Sequence, residues 1–227
     1  MLYTKTIVCL ANSRKHLGRC VAGKEYSKNG FGGWIRPVSD RATEEISWED
    51  QRFQNNLYAQ LLDVICIPML EHRPKDYQTE NHLIDRAYYW TKEGELNWKK
   101  VIGAVDSIQG PLWLNKSSSY YGVNDRVDVA DAVKLSTSLL LIRPDDLAIQ
   151  VAIEGAEFNN PQKKVRARFR FNNLSYLLSV TDPDVEQKYL QQDNGSYGIR
   201  ESLLCVSLGE PYKDYAYKLI AAVITPN

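Results

Sequence analysis

Residues 163–181 read KKVRARFRFNNLSYLLSVT, and this stretch decides the fold class. Lys164, Arg166, Arg168 and Arg170 alternate with Val165, Ala167, Phe169 and Phe171. Successive side chains of a strand point to opposite faces, so the cations share one face and the apolar residues the other. Asn172 and Asn173 tolerate the positive φ that a two-residue hairpin turn requires. That turn predicts the register. Phe171 falls opposite Leu174, Phe169 opposite Tyr176, Ala167 opposite Leu178 and Val165 opposite Val180. On the other face Arg170 meets Ser175, Arg168 meets Leu177, Arg166 meets Ser179 and Lys164 meets Thr181. Core meets core at every step, and a slip of one residue would undo the match on both faces.

A row of cations repels itself unless something negative lies on it. Arg recognises phosphate in a planar, bidentate way and hydroxyls add hydrogen bonds, so one reading of the row is a nucleic-acid-binding face. The other is a solvated edge strand, kept soluble by its charges and paired with acidic residues elsewhere in the chain.

The same strand grammar recurs outward from this hairpin. Short apolar runs bounded by turn residues predict strands over 4–11, 19–23, 33–38 and 62–69, then over 138–142, 148–153, 203–208 and 217–225. Helical patterns are few: 43–58, 96–105, and 184–190 after an Asp182 cap and Pro183. Residues 111–131, rich in Ser, Gly and Asn, read as a linker between two strand-rich parts, 1–110 and 132–227. The expected class is mainly β, as two small barrels or sandwiches in tandem.

Composition fits an ordinary globular chain of 227 residues, 44% hydrophobic and 25% charged. The formal net charge of +0 excludes a uniformly basic coat but not a local basic face. Charge is segregated: cations predominate through residue 40, and carboxylates crowd residues 44–85. Cys9, Cys66 and Cys205 sit in apolar runs and no CxxC pair occurs, which reads as buried thiols in a reducing, cytoplasmic setting. No run is long enough to span a membrane.

Ser13, Arg14, Lys15 and Arg19 surround the turn after the first strand, where cations and a hydroxyl would grip phosphates. Trp34 and Arg36 stand two apart on one strand face, which suits a stacked base beside a held phosphate. Residues 18–24 spell GxxxxGK, but Glu25 stands where a phosphate loop needs Ser or Thr, and the flanks read as strand and turn. His72 and His82 lie among carboxylates without a zinc spacing, which reads as a solvated acidic loop. No cofactor or metal is implied.

Several strings together carry a resemblance: ANSRKHLGRCVAG (11–23), GWIRPVS (33–39), LLDVICIP (61–68), QTENHLID (78–85), YLLSVTDP (176–183), CVSLGEPY (205–212) and YKLIAAVI (217–224). They resemble the dual OB-containing domain proteins of bacteria and archaea over nearly the whole chain. The resemblance implies two OB-like β-barrels packed in tandem and a nucleic-acid ligand, and brings no agreed binding residues. The expected function is therefore nucleic-acid binding or sensing, without catalysis of its own, on single-stranded RNA or DNA. Arg14, Lys15, Arg19 and Arg36 would serve the first barrel, with Ser13 and Trp34, and Lys164, Arg166, Arg168 and Arg170 the second. Two alternatives stand beside it. One is an enzyme acting on nucleotides or nucleic acid, with Asp182, Asp184 and Glu186, or Glu71 and Glu80, converging on the cations. The other is a module that docks an acidic protein partner through the basic strand.

Overall fold

The structure, a computed structural model, describes residues 3–226. The chain is mainly β and divides into two compact units. The first runs to Val105 and takes in Ser136–Leu139, and the second comprises Asp106–Leu135 and Leu140–Thr225.

The first unit contains β1 (Tyr3–Lys15), β2 (Gly18–Ser27), β3 (Gly30–Val38), β4 (Asp63–His72), β5 (Asn81–Ile84) and β6 (Thr91–Glu95). Their order is β1-β2-β3-β5-β4-β6, and β1 also pairs with β4. That pairing closes the first five strands into a barrel, with β3 and β5 parallel and the other neighbours antiparallel. Ile7, Cys9, Val21, Ile35, Ile65 and Ile67 fill it from alternate positions. Both glycines of the GxxxxGK string are explained by close backbone approach rather than by a phosphate. A Cβ on Gly18 would lie 2.5 Å from the Ile46 carbonyl oxygen, and one on Gly23 2.0 Å from that of Val8.

The second unit contains β7 (Arg126–Asp128), β8 (Leu139–Ile142), β9 (Asp145–Glu154), β10 (Gln162–Phe171), β11 (Leu174–Val180), β12 (Gly195–Gly198), β13 (Leu203–Tyr212) and β14 (Tyr215–Ile224). The order is β12-β9-β10-β11-β14-β13-β8, with β7 on β14. Within it, β9, β10, β11, β14 and β13 repeat the first unit's sequence of first, second, third, fifth and fourth strand. The third and fifth strands are again parallel. The outermost positions, beside β9 and β13, are taken by β12 and β8. Both units thus carry the OB arrangement, once as a closed barrel and once as a sheet lengthened at both edges.

The β10–β11 hairpin has the register read from its sequence: Phe171 pairs with Leu174, Phe169 with Tyr176, Ala167 with Leu178, Arg168 with Leu177 and Arg166 with Ser179. Asn172 and Asn173 turn it at φ 50° and 62°. Phe169 stacks on Tyr176 with centroids 5.2 Å apart, worth about 0.5–1.5 kcal/mol beyond burial.

Three expectations need correction. Residues 43–58 are not a helix. Ser47 and Asp50 exchange backbone-to-side-chain hydrogen bonds that close one turn. Ile46 then bridges Arg19, and Phe53 bridges Trp90, so the chain is pulled out of helical continuity to bury both residues. The pattern over 96–105 yields only a short helix, Trp98–Val101, followed by a 3₁₀ turn, Ile102–Ala104. Residues 111–131 belong to the second unit instead of linking the two. Leu112 is fully buried there, and its N–H donates to the Tyr176 hydroxyl at 2.9 Å. Lys218, itself buried, donates Nζ to the Leu114 carbonyl at 2.8 Å and to Asn115 Oδ1 at 2.7 Å. The helix Pro183–Leu190 forms as read, with Asp182 capping Asp184 and Val185.

Candidate nucleic-acid interface

In each unit the outer face of the second and third strands presents the polar side chains of a strand pair whose apolar residues point inward. The two faces have different fates.

In the first unit this face carries Lys24, Trp34 and Arg36, and its own chain roofs it. Lys24 is buried and donates Nζ to the Ala104 carbonyl at 2.7 Å, 5.6 Å from the Trp34 ring. Arg36 is 2% exposed and pairs with Glu80, 3% exposed, at 3.2 Å. Glu80 in turn accepts from the Ser138 hydroxyl and from its N–H at 3.4 Å. Arg36 is therefore a structural cation in a desolvated pair, not a surface contact, and Trp34 is only half-exposed. An Arg two residues after a Trp on a strand reads the same whether or not another segment covers it, so the sequence alone missed this roof.

The tip of the β1–β2 hairpin is open. Arg14 is exposed, Lys15 half-buried and Leu17 fully exposed, with Arg14 paired to Arg19 across the ladder. Arg19 lays its guanidinium over the Trp48 ring at 4.5 Å. Ser13 turns inward instead: it is buried and its hydroxyl donates to the Cys20 carbonyl at 3.5 Å.

In the second unit the corresponding face is uncovered. Lys164, Arg168 and Arg170 are exposed along β10, Arg168 and Arg170 about 7 Å apart along the strand and Lys164 about 13 Å from Arg168. Arg166 is the exception: it is mostly buried and grips Glu154 of β9 bidentately, at 2.6 and 2.9 Å. Arg170 lies 3.7 Å from Asp146 and 3.4 Å from Asn173 Oδ1. Among the described residues, Lys164 and Arg168 have neither an ion-pair nor a hydrogen-bond partner. Arg168 and Arg170 line a cavity of about 240 Å³ with Gln150, Ser175, Leu177 and Val123. Ser175 and Leu177 were legible as the cross-strand partners of Arg170 and Arg168. Gln150, Glu154 and Val123 were not, because they come from β9 and from residues 111–131, whose composition resembles a linker.

The acidic stretch of residues 44–85 has cations of its own. Its carboxylates pair inside the first unit: Glu44 with Lys75, Asp50 with Arg41 and Arg86, Asp63 with Lys92 and Glu80 with Arg36. Of the carboxylates that could serve catalysis, Asp182, Glu71 and Glu80 have structural partners. Asp182 caps a helix and accepts from Val223 N–H at 3.0 Å, and Glu71 binds Arg73. The His72–His82 region is solvated only in part: Glu71, His72 and Asp76 are exposed, but His82 is buried, its ring 4.7 Å from His72 and its Nδ1 hydrogen-bonded to the Tyr3 hydroxyl at 2.6 Å. Burial, then the neighbouring His72 and Lys5, push the His82 imidazole down to about 4. Among the described residues no group of three or more His, Cys, Asp or Glu is placed to hold a metal ion. All four cysteines are free thiols, with Cys9 and Cys205 fully buried. No helix among the described residues is long and apolar enough to cross a membrane.

Compared with known families, the chain matches the one described as "Dual OB-containing domain" over residues 5–223. The comparisons with curated proteins and with solved structures found no match.

Proposed function

The chain belongs to the dual OB-containing domain family, and on that premise we propose that it binds single-stranded nucleic acid through the outer face of β10 and β11. OB folds commonly take oligonucleotides or oligosaccharides on the face of their second and third strands and the adjoining loops. A row of Lys and Arg selects the polyanion of the two. The observation that carries the reading is the contrast between two equivalent faces: one is roofed by its own chain, and the other is open and leaves Lys164 and Arg168 unpaired among the described residues. Arg166, locked onto Glu154, orders the row rather than contacting phosphate.

Titration of a labelled single-stranded oligonucleotide by fluorescence anisotropy across a salt series tests this. Affinity is expected to fall with salt. The Lys164→Ala/Arg168→Ala variant should bind more weakly, with a salt slope smaller by about 1.4, since each phosphate contact on a single strand contributes about 0.7. A slope and affinity unchanged in that variant would remove the face from the interface.

A further inference from the structure

The second unit also exposes aromatic surface. Tyr120 is 75% exposed and Phe158 63% exposed, with ring centroids 5.6 Å apart and edge to face at 70°. Tyr121 stands against Tyr120 at 4.9 Å. Large aromatic side chains left in water side by side, in a unit that buries Phe169, Phe171 and Tyr176, mark a contact surface.

These rings are held, not dangling. Tyr121 donates its hydroxyl to Glu157 and accepts from Gly155 N–H at 2.6 Å, which ties residue 121 to the β9–β10 loop. That loop is a hydrogen-bonded turn: Phe158 N–H and Asn160 N–H both donate to the Gly155 carbonyl, at 3.0 and 2.9 Å. Gly155 sits at φ 85°, where a Cβ would also meet the Asn160 carbonyl oxygen at 2.4 Å.

The same segment leads to the cationic cavity. Val123 exchanges backbone hydrogen bonds with Leu177 at 3.3 and 3.1 Å, and lines the cavity with Arg168. Asn124 then donates Nδ2 to the Ser175 carbonyl at 2.9 Å. Rings and cations are thus the two ends of one short, anchored track. Their chemistry divides the work. Glu157 beside the rings disfavours a phosphate there, while an exposed ring face takes any base by stacking. Arg168 and Lys164 hold backbone phosphates and do not themselves distinguish single strand from duplex, whereas a ring face is reached only by an unstacked base.

We propose that Tyr120 and Phe158 are the base-stacking platform of this interface, so that its ligand is a single strand whose bases are splayed from the backbone that β10 holds. This rests on the nucleic-acid reading above. The test uses the full chain, a labelled oligothymidine strand and an abasic strand of equal length. The wild type should prefer the base-bearing strand. Tyr120→Ala/Phe158→Ala should lose about tenfold or more of that affinity and leave the salt slope and the abasic strand's affinity unchanged. Phe158→Trp should keep binding, and its added indole emission should be quenched by oligothymidine but not by the abasic strand. Equal wild-type affinity for both strands, undiminished by the double alanine change, would overturn the platform while leaving the basic face standing. Binding of neither strand would overturn both readings. Self-association of the wild type, abolished in the double variant by sedimentation, would assign the rings to a contact between copies and overturn the platform.

Discussion

His82 shows how a single residue reads differently in sequence and in structure. Among carboxylates it reads as a solvated or ligating imidazole, yet it is buried and its Nδ1 shares a hydrogen bond with the Tyr3 hydroxyl. Its protonation in the folded state is pushed down to about 4, against an ordinary value of 6.5. Between those values the unfolded chain binds the extra proton and the folded chain does not, so stability falls as pH drops through that window. The loss attributable to this residue is at most about 3 kcal/mol once pH is below both values, less whatever solvent screening removes. Denaturant unfolding at pH 7, 5 and 4 should show a shallower acid limb in His82→Gln than in the wild type, and parallel curves would contradict the assignment. The group faces Tyr3, His72, Lys5 and Glu25, of which Lys5 and Glu25 pair at 2.9 Å.

At the scale of elements, the β10–β11 hairpin was legible from Arg166–Ser179 to the turn, because its information is local, while the expected outer pairs Val165–Val180 and Lys164–Thr181 lie beyond the ladder. Period-two alternation chooses the faces, and two residues with positive φ set the register. Asn172 at φ 50° should therefore not tolerate a β-branched side chain. We predict that Asn172→Val costs about 1–2 kcal/mol in urea unfolding, while Asn173→Gly is close to neutral. An unperturbed Asn172→Val variant would mean that the turn does not control this hairpin. The segment 43–58 is the counter-example. Its composition suits a helix, but Glu44 stands at φ 57°, only the single turn at Ser47–Asp50 closes, and burying Ile46 and Phe53 at two separate bridges outweighs helix propagation. Residues 111–131 misled for a related reason. Their Ser, Gly and Asn content describes backbone without regular pairing, which is as compatible with a packed coil as with a linker. What packs the coil is Tyr176, Lys218 and Leu177, all distant in sequence.

Across the whole chain, cations that look alike in sequence divide into two kinds. Arg36, desolvated against Glu80, should cost about 3–5 kcal/mol when replaced by Met, since the partner charge is left buried and unpaired. Provided the variant folds, its salt slope for nucleic acid should match the wild type. Arg168→Ala should behave in the opposite way, with thermal stability within about 0.5 kcal/mol of the wild type and a smaller slope. Thermal unfolding beside the anisotropy series separates the two kinds, and a slope change in Arg36→Met would return that residue to the interface. By itself the sequence determined the class, most strand positions, the hairpin register and the existence of a basic row, because alternation and turn chemistry act over a few neighbouring residues. Only the tertiary structure decided that one equivalent face is roofed and the other open, that Arg166 belongs to Glu154, and that Tyr120 and Phe158 stand together. Those outcomes depend on which distant segments each unit brings into contact, and solvation of a charge or a ring is a property of that contact rather than of its place in the chain.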